Sequence, residues 1–136
     1  MSDYIKSYTD LNVWIEARKW SKDIYTISSN FPKEEQFGLI NQMRRCVVSV
    51  SSNIAEGCGR NYPKDSIQFF FISRGSIYEL ESQLYVAYDL EYINEDKLKD
   101  YKKNRNIKKT VEWIYKILSD FNRKIIFSYA PRTGNS

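Results

Sequence analysis

Apolar residues recur at helical spacing along most of the chain, and the clearest pattern lies between residues 39 and 61. At about 100° per residue, five apolar side chains share one narrow sector of a helix: Ile40, Met43, Val47, Val50 and Ile54. A polar ladder occupies a different sector of the same helix: Gln42, Arg45, Ser49, Asn53, Glu56 and Arg60. Gly57 and Gly59 favour a left-handed helix end and Pro63 cannot continue a helix, so this helix is predicted to end between Gly57 and Asn61.

A similar stripe predicts a first helix from about residue 10 to Ser29, with Thr9 or Asp10 as its capping residue. Its buried side repeats at spacings of three and four: Val13, Ala17, Trp20, Ile24 and Ile27. Pro32 interrupts the pattern, and the neighbouring Phe31 is expected to fold back onto the core.

The third predicted helix, which follows Pro63 and runs to about Asp89, is apolar on most of its circumference. One stripe contains Ile67, Phe71, Tyr78 and Tyr85; another contains Phe69, Phe70, Ile77, Leu80, Leu84 and Ala87. Such a helix needs more than one neighbour, which indicates either an unusually central helix or a subunit interface. We favour the interface and assign the first stripe to it. Gly75 lies in mid-helix at a cost of roughly 1 kcal/mol relative to Ala, and close approach of another helix would account for it.

A fourth helix is predicted to begin at Asn94 and to bury a stripe along its later part: Ile107, Val111, Ile114, Leu118, Phe121 and Ile125. Leu98 and Tyr101 are out of phase with that stripe, which predicts a kink or restart near residues 104–106. The predicted fold is therefore all-α, an antiparallel up-down four-helix bundle over residues 10–128. An N-terminal arm, residues 1–9, precedes it, and a disordered tail, residues 129–136, follows it.

Positive charge is concentrated in the last part of the chain, although the net charge is only +4. Residues 1–96 contain 10 Lys and Arg against 14 Asp and Glu, whereas residues 97–136 contain 11 against 3. A one-sided basic helix is typical of an RNA or DNA contact, with an aromatic residue for base stacking. The candidate residues are Lys97, Lys99, Tyr101, Lys102, Lys103, Arg105, Lys108 and Lys109. On charge alone, an ordinary solvated helix face is the favoured alternative.

Catalytic and metal chemistry find no support in the sequence. The chain has no histidine, and Cys46 and Cys58 are separated by about 18 Å on one helix, so both are expected to be reduced packing residues. The segment GCGRNYPK lacks the ending of a phosphate-binding loop. We therefore expect no enzyme activity, no metal and no cofactor. No apolar run reaches 18 residues, so we do not expect a membrane span. The N-terminus has no apolar signal region, so we expect a cytoplasmic location.

Charged and amide residues on the second and third helices are instead expected to form a structural network that holds helix register. The predicted members are Arg45, Asn53, Glu56, Arg60, Arg74 and Glu79.

Two segments resemble the four-helix bundle proteins of bacteria, also called intervening-sequence proteins because some are encoded within large-subunit ribosomal RNA genes. They are RRCVVSVSSNIAEGCGR, residues 44–60, and QFFFISRGSIYELESQLYVAYDLEYI, residues 68–93. The resemblance implies an antiparallel four-helix bundle that assembles into a ring-like homopentamer. This family also resembles accessory proteins of diversity-generating retroelements, which bind a reverse transcriptase and nucleic acid.

Two functions follow from these observations. The first is a non-enzymatic oligomeric scaffold or accessory protein, with RNA or an RNA-associated protein as its partner. The alternative is a protein–protein interaction module without nucleic-acid contact, whose exposed aromatics only close the pentamer.

Overall fold

A computed structural model describes residues 7–104 and 107–121 of the 136-residue chain, with side chains at residues 7–102 and 109–116. Within these ranges the protein is all-α and contains no strand. Two 3-10 helices, Tyr8–Asp10 and Lys33–Glu35, accompany five α-helices. The helices are α1 Asn12–Ser28, α2 Leu39–Gly59, α3 Pro63–Asp89, α4 Glu95–Asn104 and α5 Ile107–Phe121.

Helix α1 buries the predicted stripe. All five residues of that stripe lie in the core: Val13, Ala17, Trp20, Ile24 and Ile27. The predicted cap is wrong. Leu11 occupies the N-cap position without a side-chain hydrogen bond, whereas the Ser7 hydroxyl accepts a hydrogen bond from the Thr9 N–H at the preceding 3-10 turn. That turn delays the start of α1 and packs Tyr8 edge-on against Trp14, with ring centroids 5.2 Å apart.

Helices α1 and α2 run antiparallel. Arg44, near the start of α2, donates to the Ser28 hydroxyl at 2.9 Å and to the Tyr25 carbonyl at 3.1 Å, near the end of α1. The predicted stripe of α2 from Ile40 to Ile54 is buried, as is Phe31 in the connection between the two helices. The period of 3.6 residues therefore predicted the buried sides of both helices correctly.

Helix α3 packs antiparallel on α2 through small residues. The Ser73 hydroxyl donates to the Val50 carbonyl at 2.9 Å, and the Cys46 thiol donates to the Ser76 carbonyl at 3.1 Å. These buried polar groups are tolerated because each has a hydrogen-bond partner, and their small size lets the two backbones approach.

Gly57 has a packing role instead of the predicted capping role. Helix α2 ends at Gly59 within the predicted range, but no described glycine has positive φ, so the left-handed glycine cap is wrong. A Cβ on Gly57 would lie 2.4 Å from the Phe70 ring, well inside contact distance. Gly57 therefore makes room for the largest side chain that α3 inserts between the helices.

The C-terminal part of the described chain forms two helices, α4 and α5, on either side of residues 105–106, in line with the predicted restart. The Asn94 side chain caps α4 as predicted, accepting from the Lys97 N–H at 2.8 Å. Helix α5 packs mainly on α3 and touches α1, burying Val111 and Ile114. The other residues of the predicted stripe, and the tail at residues 129–136, lie outside the described side chains.

None of the helices in the described ranges is long and apolar enough to cross a membrane.

Candidate interaction surface

Four partly exposed tyrosine and phenylalanine rings form what we call the aromatic strip: Phe71, Tyr78 and Tyr85 of α3, with Tyr115 of α5. Their exposed fractions are 45%, 48%, 41% and 50%. The strip contains three of the four predicted interface residues. The fourth, Ile67, is half-buried and packs against the core.

Two cations lie on the rings of the strip. The Arg74 guanidinium carbon is 5.0 Å from the Phe71 ring centroid and 4.7 Å from that of Tyr115, so Arg74 contacts both rings. The Lys102 ammonium nitrogen lies 4.6 Å from the Tyr85 centroid and donates a hydrogen bond to the Tyr85 hydroxyl. The strip is thus both aromatic and cationic.

Hydrogen bonds at the strip also shift the pKa values of two side chains. A hydrogen bond with Tyr115 raises the pKa of Tyr78, and the hydrogen bond to Tyr85 raises the pKa of Lys102. Glu81 follows Tyr78 by three residues and precedes Tyr85 by four, so it lies beside both residues on α3, and its negative charge contributes to both shifts. Lys102 therefore carries its positive charge at neutral pH.

A second exposed face of α3, which we call the outer ridge, consists of Ile72, Gly75, Glu79 and Val86. Ile72 is 50% exposed and Val86 is 44% exposed. A Cβ on Gly75 would meet nothing within 4 Å, so no part of the described chain approaches it. Ile72 lies about 100° around the helix from Phe71, whereas Gly75 lies only about 40° from it, so the ridge adjoins the strip along one edge.

A polar groove of about 370 Å³ lies beside the ridge, between α2 and α3. Its lining residues are Asn41, Gln42, Arg45, Cys46, Ser49, Ser76 and Glu79. The Ser49 and Ser76 hydroxyls are hydrogen-bonded across it at 2.9 Å, and Asn53 donates to the Ser49 carbonyl at 2.8 Å. Arg45, Asn53 and Glu79, three members of the predicted polar network, are thus at or next to this groove.

The remaining members do not join them, so the prediction of one continuous network is wrong. Glu56 and Arg60 form a separate exposed pair at 2.8 Å, and Arg60 stacks on Phe69 at 4.5 Å. Arg74 lies on the aromatic strip. Five residues separate Arg74 from Glu79, or about 140° around the helix, so the two point to different sides of α3.

Tyr101 is not available for base stacking, contrary to the prediction. It is only 7% exposed, and its hydroxyl donates to the Asp23 carbonyl at 3.1 Å. Tyr101 follows the buried Leu98 by three residues, so both side chains face the core.

The described lysines of the predicted basic cluster do not form one patch. Lys97, Lys99, Lys102 and Lys109 are exposed, and Lys99 pairs with Glu95 at 3.1 Å. Lys97 and Lys102 are five residues apart and flank the buried stripe on opposite sides. Arg105 and the side chains of Lys103 and Lys108 lie outside the described residues.

The two cysteines have the properties of packing residues. Burial raises the pKa of Cys46 to about 12, with a further contribution from Glu79, and burial raises the pKa of Cys58 to about 12. Both thiols are therefore protonated at neutral pH. In the described ranges, no group of three or more His, Cys, Asp and Glu is arranged to hold a metal ion.

Sequence reasoning missed the Arg74 and Tyr115 contacts. The spacing of three residues between Phe71 and Arg74 could have indicated the first contact, because residues i and i+3 are neighbours on a helix. Nothing in the local sequence places Tyr115 beside them, since α5 is remote along the chain.

The packing and surface features define an all-helical protein with partly exposed apolar and aromatic faces on its longest helix. The chain belongs to the 23S rRNA-intervening sequence protein family, whose family model matches residues 9–112. This confirms the resemblance found in the sequence. No curated protein matches the chain.

Proposed function

We propose that the protein is a non-enzymatic helical bundle that assembles with copies of itself and acts as a scaffold or accessory protein. The observation that carries this proposal is the outer ridge of α3, where Ile72 and Val86 are exposed around a glycine without a neighbour. The antiparallel packing of α1, α2 and α3, with α5 against α3, supports the bundle itself.

The ridge is better suited to a second copy of the chain than to solvent. Gly75 costs roughly 1 kcal/mol relative to Ala in an exposed helix, and its lack of a side chain lets another helix come close. Arg45 and Glu79 in the adjacent groove carry opposite charges, which copies of one chain can pair across an interface. Three of the four predicted interface residues, Phe71, Tyr78 and Tyr85, lie instead on the aromatic strip, where Arg74 and Lys102 contact two of the rings.

A glycine substitution tests this proposal. Gln is a good helix former, so Gly75→Gln should stabilise a free helix but separate two helices in contact. We expect wild-type protein to show a mass near about 81 kDa by light scattering, which is five chains of 16.2 kDa, and Gly75→Gln to shift it towards one chain. Gly59→Gln is the matched control, because a Cβ there also meets nothing within 4 Å.

A mass of 16.2 kDa for wild-type protein in light scattering would overturn the proposal of self-assembly. A wild-type oligomer that Gly75→Gln leaves intact would overturn the ridge as its interface, and the predicted stripe of Ile67, Phe71, Tyr78 and Tyr85 would then be the next candidate.

The excess of basic residues after Lys97 favours nucleic acid as a second candidate partner, directly or through an RNA-associated protein. Retention of the protein on immobilised RNA should fall as salt rises and should weaken in the double variant Lys102→Glu, Lys109→Glu. Absence of retention at low salt would leave the protein–protein module as the function. A cytoplasmic location remains a prediction.

A further inference from the structure

Tyr101, the aromatic residue that was predicted to stack on bases, is buried in the core and is not available to nucleic acid. Lys102, the next residue, is nevertheless exposed and lies against Tyr85, a different aromatic that is 41% exposed. Tyr85 belongs to a series of rings along α3 that continues through Tyr78 to Phe71. A lysine of the predicted basic helix is therefore combined with an aromatic residue of α3 instead of with Tyr101.

We propose that the aromatic strip, together with Arg74 and Lys102, binds single-stranded nucleic acid. In this arrangement the rings stack on bases and the two cations contact phosphates. The inference rests on the second candidate function above and gives it a site, whereas self-assembly is proposed on the adjoining outer ridge.

The exposure of the rings fits stacking. Each of the four residues is between 41% and 50% exposed, so a base can stack on the part of each ring that Arg74 and Lys102 leave uncovered. Every base has an aromatic face, so stacking on Tyr or Phe is tolerant of sequence. Arg74, placed on the Phe71 and Tyr115 rings, holds a positive charge beside them for the phosphates of the stacked bases.

The length of the strip fits a short strand. Phe71, Tyr78 and Tyr85 repeat every seven residues, nearly two helical turns, so they lie on one side of α3. The distance along the helix from the first to the last is about 21 Å. At about 3.4 Å for each stacked nucleotide, the strip accommodates about six nucleotides.

The charges indicate where the phosphates would lie. Arg74 is near one end of the strip and Lys102 is at the other, whereas the Glu81 carboxylate acts on both Tyr78 and Lys102. Glu81 repels phosphate near the middle, where Tyr78 offers a ring for a base. Removing this charge should therefore strengthen binding, which a purely structural surface would not do.

The test uses full-length protein and fluorescently labelled ten-nucleotide strands, oligo(A) and oligo(U) as RNA and oligo(dA) and oligo(dT) as DNA, in 25 mM and 200 mM KCl. We expect anisotropy to report binding at 25 mM salt that weakens at 200 mM. Tyr78→Ala should weaken it about 10-fold, Arg74→Gln about 10-fold, and Glu81→Gln should strengthen it about 3-fold. The RNA and DNA arms show which sugar is preferred.

Phe37→Ala is the matched control, since Phe37 is a 92% exposed aromatic residue in the connection between α1 and α2, outside both the strip and the outer ridge. It should leave affinity unchanged, and circular dichroism should show every variant folded. Absence of binding by wild-type protein at 25 mM KCl, or binding that Tyr78→Ala and Arg74→Gln leave unchanged, would overturn the proposal. It would equally be overturned if Tyr78→Ala reduced the oligomer mass without changing affinity, because the strip would then be a protein interface.

Discussion

The two sides of α3 are built from different kinds of residue. The side that faces α2 contains Phe70 and the small residues Ser73 and Ser76, all buried. The opposite side presents the rings of Phe71 and Tyr78, which are exposed to about half their area. A single helix thus combines a closely packed intramolecular face with an open one.

The comparison shows that size and hydrogen bonding, more than hydrophobicity, distinguish the inner side from the outer side. Ser73 is polar yet completely buried, because its hydroxyl donates to the Val50 carbonyl. Phe71 is apolar yet 45% exposed, with the Arg74 guanidinium carbon 5.0 Å from its ring centroid. The apolar character of α3 as a whole therefore predicts a second contact surface on this helix, but it does not show which residues form that surface.

The largest expected effect compares two adjacent phenylalanines. Phe70→Ala should destabilise the protein by about 3–5 kcal/mol, since the ring is 2% exposed and contacts both Gly57 and Trp113. Phe71→Ala should cost less than about 1 kcal/mol, as is usual for surface positions. Urea unfolding followed by circular dichroism measures both. Equal losses would show that the outer side is as closely packed as the inner side.

The next largest effect on stability is expected from a comparison of Gly57 and Gly75. Gly57→Ala should destabilise the protein by about 1–3 kcal/mol, because its Cβ would lie 2.4 Å from the Phe70 ring. Gly75→Ala creates no contact within the chain and improves helix propensity, so an isolated chain should gain up to about 1 kcal/mol. Thermal unfolding of the two variants measures this difference. Adding Phe70→Leu to Gly57→Ala should restore part of the loss, whereas the absence of any rescue would contradict the proposed clash.

The buried sides of α1 and α2 could be predicted from the sequence because each helix has one apolar stripe. Val13 to Ile27 and Ile40 to Ile54 keep a period near 3.6 residues, and the structure buries every member. Phe31 was predicted from its place beside a helix-breaking proline. These features depend on local periodicity, which a single sequence contains.

Features that depend on partners remote along the chain could not be predicted in the same way. Tyr101 was assigned to the surface because lysines surround it, but its phase with Leu98 and the approach of α1 bury it. Gly57 was assigned to a cap because glycine commonly ends helices, whereas Phe70 of the next helix determines its role. Arg74 similarly contacts Tyr115 of α5 instead of the predicted polar network.

A smaller effect is expected from the buried hydroxyl on the inner side. Ser73→Ala removes the bond to the Val50 carbonyl and should cost about 1 kcal/mol, the usual net value of one hydrogen bond. Ser82→Ala on the exposed side of the same helix is the control and should be neutral or slightly stabilising. If the two variants have equal stability in urea, hydroxyl bonding between α2 and α3 contributes nothing measurable.

The smallest effect concerns Glu35, which joins the α1–α2 connection to the turn after α3. The Tyr92 hydroxyl donates to its carboxylate at 2.7 Å and the Leu39 N–H donates at 3.1 Å. These bonds, the Tyr92 bond foremost, lower the pKa of Glu35 below its ordinary value of 4.5. A carboxyl whose pKa is lowered by folding stabilises the protein above the unfolded-state pKa, and this contribution is lost as pH falls through the folded-state pKa.

Tyr92→Phe removes that stronger bond while keeping the ring that packs 5.1 Å from Phe31. Wild-type protein should therefore melt slightly above Tyr92→Phe at pH 7, and the gap should narrow at pH 3, where Glu35 is largely protonated in the unfolded state. Melting curves of both proteins at the two pH values measure this, with Tyr88→Phe as a control for loss of an exposed hydroxyl. An equal difference in melting temperature between the two proteins at pH 7 and pH 3 would show that the ionised Glu35 carboxylate does not stabilise this contact. The connection would then be held mainly by the packing of Phe31 on the Tyr92 ring.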